Sequence, residues 1–266
     1  MCDPHPISST ATYSHWPAIP APVRMSLSVL PEHPCPYLPH RLAQSRALWA
    51  DQMPAERYRA FMDAGFRRSG KVIYQPMCVG CRACQPIRVP VERFHPSKSQ
   101  RRCYRQNADL NVSIGAPVPT FEKHDLYGRY IREWHGGAVA SEYDEFASFL
   151  YDSPVESAEF CYRDAGGRLL AVGICDISAT SLSSVYHYFD PQDADRGLGT
   201  YGALQEIGLA RERQLAYYYL GYWIDGCRSM EYKSALRPFE ILWPDKVWRA
   251  EPVDRPHTTL SASRGG

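Results

Sequence analysis

The chain has 266 residues, 44% of them hydrophobic and 22% charged, with 30 Lys and Arg against 29 Asp and Glu and a net charge of +1. That length holds one large domain or two small ones, and the composition excludes wholesale disorder. No apolar run reaches the eighteen residues needed to span a bilayer, so no membrane role is expected.

Residues 1–33 are rich in Pro and Ser and read as a mobile arm. The N-terminus has an early Asp3 and no apolar h-region, so it does not read as a secretory signal. Nine cysteines without framework spacing point to free thiols in the reducing cytoplasm. Residues 53–64 predict a helix ended by Gly65. GFRRSGKVIYQP then reads as a turn running into a short strand. Residues 87–92 alternate as a strand, with Pro90 suiting a sheet edge. Residues 97–107 are ambiguous, and 111–120 read as a linker.

A helix follows Thr120, with Phe121, His124, Tyr127, Ile131 and Trp134 at helical spacing, ended by Gly136-Gly137. Another starts after Ser141, with Phe146, Phe149 and Leu150 on one side. The period then switches. Residues 160–163, 168–177 and 183–189 predict three tightly joined antiparallel strands, the first two linked by an Asp164–Gly167 turn. Gly197-Leu198-Gly199-Thr200 opens a helix whose Leu198, Tyr201, Leu204, Ile207 and Ala210 face one way. Glu206, Arg211 and Arg213 are expected to face elsewhere. Residues 217–224 form an aromatic strand. Three antiparallel strands, a helix and a strand is the core order of GCN5-related acyltransferase folds.

Charge is uneven along this plan. Residues 1–135 carry 18 basic against 10 acidic side chains, whereas residues 136–266 carry 12 against 19. Residues 65–105 hold ten basic side chains and one acid, Glu92, interleaved with Tyr74, Phe94 and Tyr104. Such a patch suits a polyanion, and aromatic faces suit unstacked nucleotides; a solvated basic face is the plain alternative.

Four clusters are candidates for chemistry. Cys78-Val79-Gly80-Cys81-Arg82-Ala83-Cys84 has metal-like spacing, but no second pair follows, and Arg88 stands where a ferredoxin motif needs Cys. Gly65–Lys71 presents Arg67 and Arg68, two forks for a carboxylate or phosphate, beside Ser69. Gly197–Tyr201, at a helix start, favours an anion near Gly199, Thr200 and Tyr201. Lys233 and Arg237, four apart, form a cationic face. No hydrolase triad motif, zincin motif or Walker loop is present.

Several segments then converge. They include Cys35-Pro36-Tyr37-Leu38-Pro39, the GFRRSG turn, the Cys78–Cys84 stretch, Arg105-Gln106-Asn107-Ala108-Asp109-Leu110 and His135-Gly136-Gly137. Leu198-Gly199-Thr200-Tyr201, Tyr219-Leu220-Gly221-Tyr222 and Met230-x-Tyr-Lys-x-x-x-Arg-Pro complete the set. From about residue 34 to 243 the chain resembles the arginyl-tRNA–protein transferases, and most of all their bacterial aspartate/glutamate leucyltransferase branch. The resemblance implies an α/β (α+β) fold, with an N-terminal family domain and an acyltransferase-like domain with a mostly antiparallel sheet. The corresponding divisions are an arm (1–33), an N-terminal domain (34–115), the acyltransferase-like domain (116–250) and a tail (251–266).

It also implies transfer of an amino acid from aminoacyl-tRNA, leucyl-tRNA foremost and arginyl-tRNA as the alternative, to proteins with N-terminal Asp or Glu. The new residue marks the protein for degradation in the N-degron pathway. The expected site residues are Tyr188, Asp190, Lys233 and Arg237 for transfer, and Arg67, Arg68, Ser69, Gly199, Thr200 and Tyr201 for substrate. Lys98, Arg101, Arg102 and Arg105 are expected to contact tRNA. Leu38 stands where eukaryotic members place a second early cysteine, so no metal or other cofactor is expected. A non-catalytic tRNA-binding adaptor and an acyl-CoA-dependent acyltransferase are the rival readings.

Overall fold

The computed structural model describes residues 26–136, 142–227 and 230–250. Four short strands come first: β1 (Ser28–Val29), β2 (His33–Pro34), β3 (Leu42–Ala43) and β4 (Ser45–Trp49). Helix α1 (Ala55–Asp63) precedes β5 (Arg67–Ser69), β6 (Val72–Pro76) and β7 (Gln85–Pro90). Then come α2 (Lys98–Gln106), β8 (Asn111–Gly115), α3 (Phe121–Trp134) and α4 (Tyr143–Leu150). The antiparallel run β9 (Ser157–Arg163), β10 (Leu169–Ile177) and β11 (Ser181–Phe189) leads through a 3-10 turn (Pro191–Arg196) to α5 (Leu198–Glu212). Strand β12 (Tyr217–Trp223), a second 3-10 turn (Glu231–Ala235), β13 (Glu240–Leu242) and β14 (Trp248–Ala250) end the described chain.

The main sheet has eight strands in the order β14-β13-β7-β12-β11-β10-β9-β8, and every pairing is antiparallel except β11 with β12. A second sheet, β1-β4-β6-β5, packs with α1 beside it. All nine residues of β10 are buried, which requires cover on both faces of the sheet. Helix α5 covers the face bearing Tyr162, Gly173, His187 and Tyr218. Helices α3 and α4 and the smaller sheet cover the other, bearing Glu159, Asp176, Tyr188 and Tyr219.

Local chemistry explains the element ends. Gly65, just past α1, has φ +84°, which a side chain would strain. The segment read as ambiguous is α2, started by a capping box in which Ser97 accepts from the Gln100 N–H and Gln100 accepts from the Ser97 N–H. Thr120 caps α3 as expected, accepting from the Lys123 N–H at 3.3 Å. The α3 face turns one step from the expected one: Leu126, Tyr127 and Tyr130 are buried while Phe121 is 73% exposed. Ser141 lies outside the described residues.

Four expectations are corrected. Arg67 and Arg68 lie on a strand, since the turn of that hairpin is Gly70-Lys71. Strand β7 is interior; its Pro90 is tolerated because β13 pairs only with Ile87 and Arg88. Residues 111–115 are the edge strand β8, whose partner β9 lies about fifty residues on. Both β7 and β8 belong to the main sheet, so a boundary at 115/116 falls inside one folded unit. Of the expected arm, residues 26–33 are described, and β1 pairs with β4. Residues 251–266 lie outside the described residues.

Candidate active site

The only parallel pairing among the described strands is also short. Strands β11 and β12 pair over Ser181–Ser183 and Tyr217–Tyr219. Beyond that point β11 shifts register opposite Ile174/Cys175, and β12 shifts register between Tyr219 and Gly221. The two irregularities face each other and open a gap in the sheet.

Arg67 fills this gap from β5. Its Nη1 donates to Ser183 Oγ at 2.6 Å, and its Nη2 donates to the Ser184 carbonyl. Gly221 admits it: φ is +86°, and a Cβ there would sit 3.1 Å from Arg67 Nε. Lys233 lies alongside. Its Nζ donates to the Tyr222 carbonyl at 2.7 Å, and burial, helped by the Arg67 charge, lowers the amine to about 7. No carboxylate pairs with either cation among the described residues.

From the opposite face α5 contributes Glu206, 1% exposed. Tyr218 Oη donates to Glu206 Oε2 at 2.7 Å. Burial raises the carboxyl to about 7, against the opposing pull of Tyr218, Ser184 and Arg67. Glu206, expected to face away from the apolar stripe of α5 with Arg211 and Arg213, is buried. The signal was present: residues 202, 203, 209 and 210, three and four positions away, are Gly, Ala, Leu and Ala. A Glu without a polar neighbour at that spacing lies on the buried stripe. Sequence reading also missed Ser184, His187 and Tyr218.

A cleft of about 390 Å³ runs from Glu206 and Tyr218 to the start of α5, past Tyr130, Trp134, His187 and Leu198. A second, of about 320 Å³, lies between α2 and α5 and includes Gln100, Arg102, Gln106 and Arg196. The two share Gly197, Thr200, Ala203 and Tyr232. Lys98, Arg101, Arg102 and Arg105 are exposed on α2 beside them. Gly199 and Thr200 line the cleft, and Tyr201 is buried with its ring against Tyr104 and Tyr162.

Other candidates lie elsewhere. Arg68 is sequestered: Nε and Nη2 donate to Asp176 at 2.7 and 2.9 Å, and Nη1 donates to the Gly70 and Asp152 carbonyls. It has no face toward the cleft. Ser69 lines a shallow hollow with Trp49 and Phe149. Tyr188 is buried on the opposite face, its hydroxyl 3.0 Å from that of Tyr151. Asp190 accepts from the Gln192 N–H and pairs with Arg129 at 3.0 Å, holding the turn after β11. Arg237 is exposed, with its guanidinium 5.2 Å from the Phe239 ring.

Cys35, Cys78, Cys81, Cys84 and Cys227 form a half-buried group that lines neither cleft, whereas Cys103 lines the second cleft and Cys161 and Cys175 are buried. Burial raises Cys84 to about 12, and Cys78, Cys35, Cys81 and Cys227 add to the effect. Among the described residues no three His, Cys, Asp or Glu side chains are grouped to hold a metal ion.

Comparison with known proteins gives the family. The N-terminal part of arginine-tRNA-protein transferases matches residues 33–102, and the C-terminal part matches residues 122–243. The aspartate/glutamate leucyltransferase of Nitrosococcus oceani is 41% identical over 223 residues, covering 82% of this chain and 92% of the relative. That of Hahella chejuensis is 39% identical over 220 residues, covering 81% and 93%. A solved tandem GNAT protein from the clavulanic acid biosynthesis pathway aligns over 73% of this chain and 59% of its own, at 13% identity and a TM-score of 0.43. By its identity to these relatives over nearly their whole length, the chain belongs to the aspartate/glutamate leucyltransferases of the arginine-tRNA-protein transferase family.

Proposed function

We propose that this chain transfers leucine from leucyl-tRNA to the α-amine of proteins that begin with Asp or Glu, in the cytoplasm, tagging them for degradation in the N-degron pathway. The observation that carries the reading is the Arg67–Lys233 pair, two neighbouring cations in no ion pair among the described residues, with Arg67 bonded to Ser183 and Ser184 next to the cleft wall that Ser184 forms. An acidic first side chain supplies the missing negative charge. The bound amine then faces the cleft, where the leucyl ester lies along the start of α5 near Gly199 and Thr200.

The basic face of α2 takes the tRNA backbone through Lys98, Arg101, Arg102 and Arg105. The donor is already an activated ester, so alignment and exclusion of water supply much of the rate, and N–H groups at the start of α5 stabilise developing negative charge. Peptides beginning with Glu or Ala, incubated with leucyl- or arginyl-tRNA, test the reading by mass spectrometry. Leucine added to the Glu peptide alone is expected. Arginine addition would overturn the donor assignment, and no addition would overturn the reaction.

A further inference from the structure

Amide formation from an amine and an ester releases a proton from the attacking nitrogen. The cleft holds few groups able to take it, and one of them, His135, lies exposed at the end of α3 with its ring against Tyr130. His187 is poorly placed: its Nε2 is buried without a hydrogen-bond partner and faces α5, where a Cβ on Gly202 would lie 2.4 Å away. Burial also holds that ring at about 4. Tyr218 is a phenol raised well above its ordinary range, and its proton is already directed at Glu206. Lys233 is held by the Tyr222 carbonyl.

Glu206 differs from these. It lies on the cleft wall where β11 and β12 part, at the junction of the two faces of the gap. The fold makes room for it: a Cβ on Gly173 would sit 2.9 Å from Glu206 Oε1. Its surroundings are the Tyr218 hydroxyl from β12, Ser184 and His187 from β11, Cys175 from β10, Tyr162 from β9 and Tyr232 from the second 3-10 turn. Arg67 from β5 is the one cation among them.

We propose that Glu206 is the proton acceptor of the transfer step. The amine nitrogen bonds to the carbonyl carbon of the leucyl ester as its proton passes to the Glu206 carboxylate. The bond from that carbon to the ribose oxygen at the tRNA end breaks. The proton on Glu206 then returns to that oxygen, so the free tRNA leaves as the alcohol and the carboxylate is restored. A carboxyl held at about 7 suits both directions of this exchange at neutral pH. The inference rests on the transfer reaction proposed above.

The test is the pH dependence of kcat/KM for a Glu-starting peptide at saturating leucyl-tRNA. Both the peptide amine, with an ordinary value of about 7.7–8.0, and Glu206 must be deprotonated, so log kcat/KM should climb with a slope of about 2 on the acid side. Glu206→Gln should lower the rate by roughly 10²–10⁴-fold and reduce the slope to about 1, with leucyl-tRNA affinity unchanged. Tyr218→Phe removes the donor that holds the carboxyl down, so the acid limb should move to higher pH. A Glu206→Gln enzyme within about threefold of the parent rate, with the slope still about 2, would overturn the assignment. So would an acid limb that Tyr218→Phe leaves in place. Should the parent itself leave the peptide unextended, the transfer reading fails and this inference fails with it.

Discussion

Replacing Asp176 by Ala should destabilise the protein by about 3–5 kcal/mol, the usual cost of leaving one half of a buried ion pair alone. The Asp176 and Arg68 side chains are both 0% exposed, and the carboxylate accepts from Arg68 at 2.7 and 2.9 Å. It also accepts from Tyr58 Oη at 2.6 Å and Ser157 Oγ at 2.7 Å. In the variant Arg68 keeps only the Gly70 and Asp152 carbonyls, each at 3.1 Å, and Ser157 can turn to Ser153 at 2.9 Å. Tyr58 is left with a buried hydroxyl and no acceptor. Urea unfolding measures the loss; with a slope of about 2–3 kcal/mol/M, the midpoint should fall by more than about 1 M. A triple variant, Arg68→Met with Asp176→Leu and Tyr58→Phe, removes the ion pair and the Tyr58 hydroxyl together and leaves Ser157 to Ser153, and should recover most of the stability and keep transfer activity. An Asp176→Ala loss below about 1 kcal/mol would refute the buried-pair argument. A well-folded triple variant without activity would refute the separation of Arg68 from the substrate.

Two further outcomes test the site. Arg101→Ala and Arg102→Ala should each flatten the log–log salt dependence of tRNA binding by about 0.7–0.9, and an unchanged slope would show that α2 does not touch phosphate. Lys233, lowered to about 7, carries its charge below that pH and loses it above, so KM for a Glu-starting peptide should rise as pH increases through 7; Lys233→Met should raise KM and abolish that rise, and a flat parental KM would count against the pair.

Periodic segments carried most of the fold. The stripe Leu198, Tyr201, Leu204, Ile207 and Ala210 is buried as its spacing predicts, and the three antiparallel strands before it pair as expected. Misreadings came where partners are distant in sequence. Arg67 and Arg68 have the flanking glycines of an exposed turn, yet Ser183 and Asp176, 116 and 108 positions away, draw both inward. No local pattern encodes such partners. Residues 111–115 look like a linker because Asn, Gly and the prolines after them outweigh a short alternation that only β9 makes meaningful. Of the candidate site, Arg67, Lys233 and the start of α5 were already singled out in the sequence, whereas Glu206 was set apart from the apolar stripe of a correctly placed helix and is buried.

The position of β7 bears on how the chain can be made. Arg88 of β7 bonds Tyr219 of β12, 131 positions later. On a ribosome adding about 5–20 residues per second, β7 therefore waits roughly 7–26 s for that neighbour. During this interval Ile87 and Val89, which end fully buried, lack their final cover. Arg67 likewise has no gap to enter until both β11 and β12 have emerged. A truncated product that stops before β12 thus has neither a closed sheet nor the cationic pocket, and catalytic competence arrives only once β12 has been made.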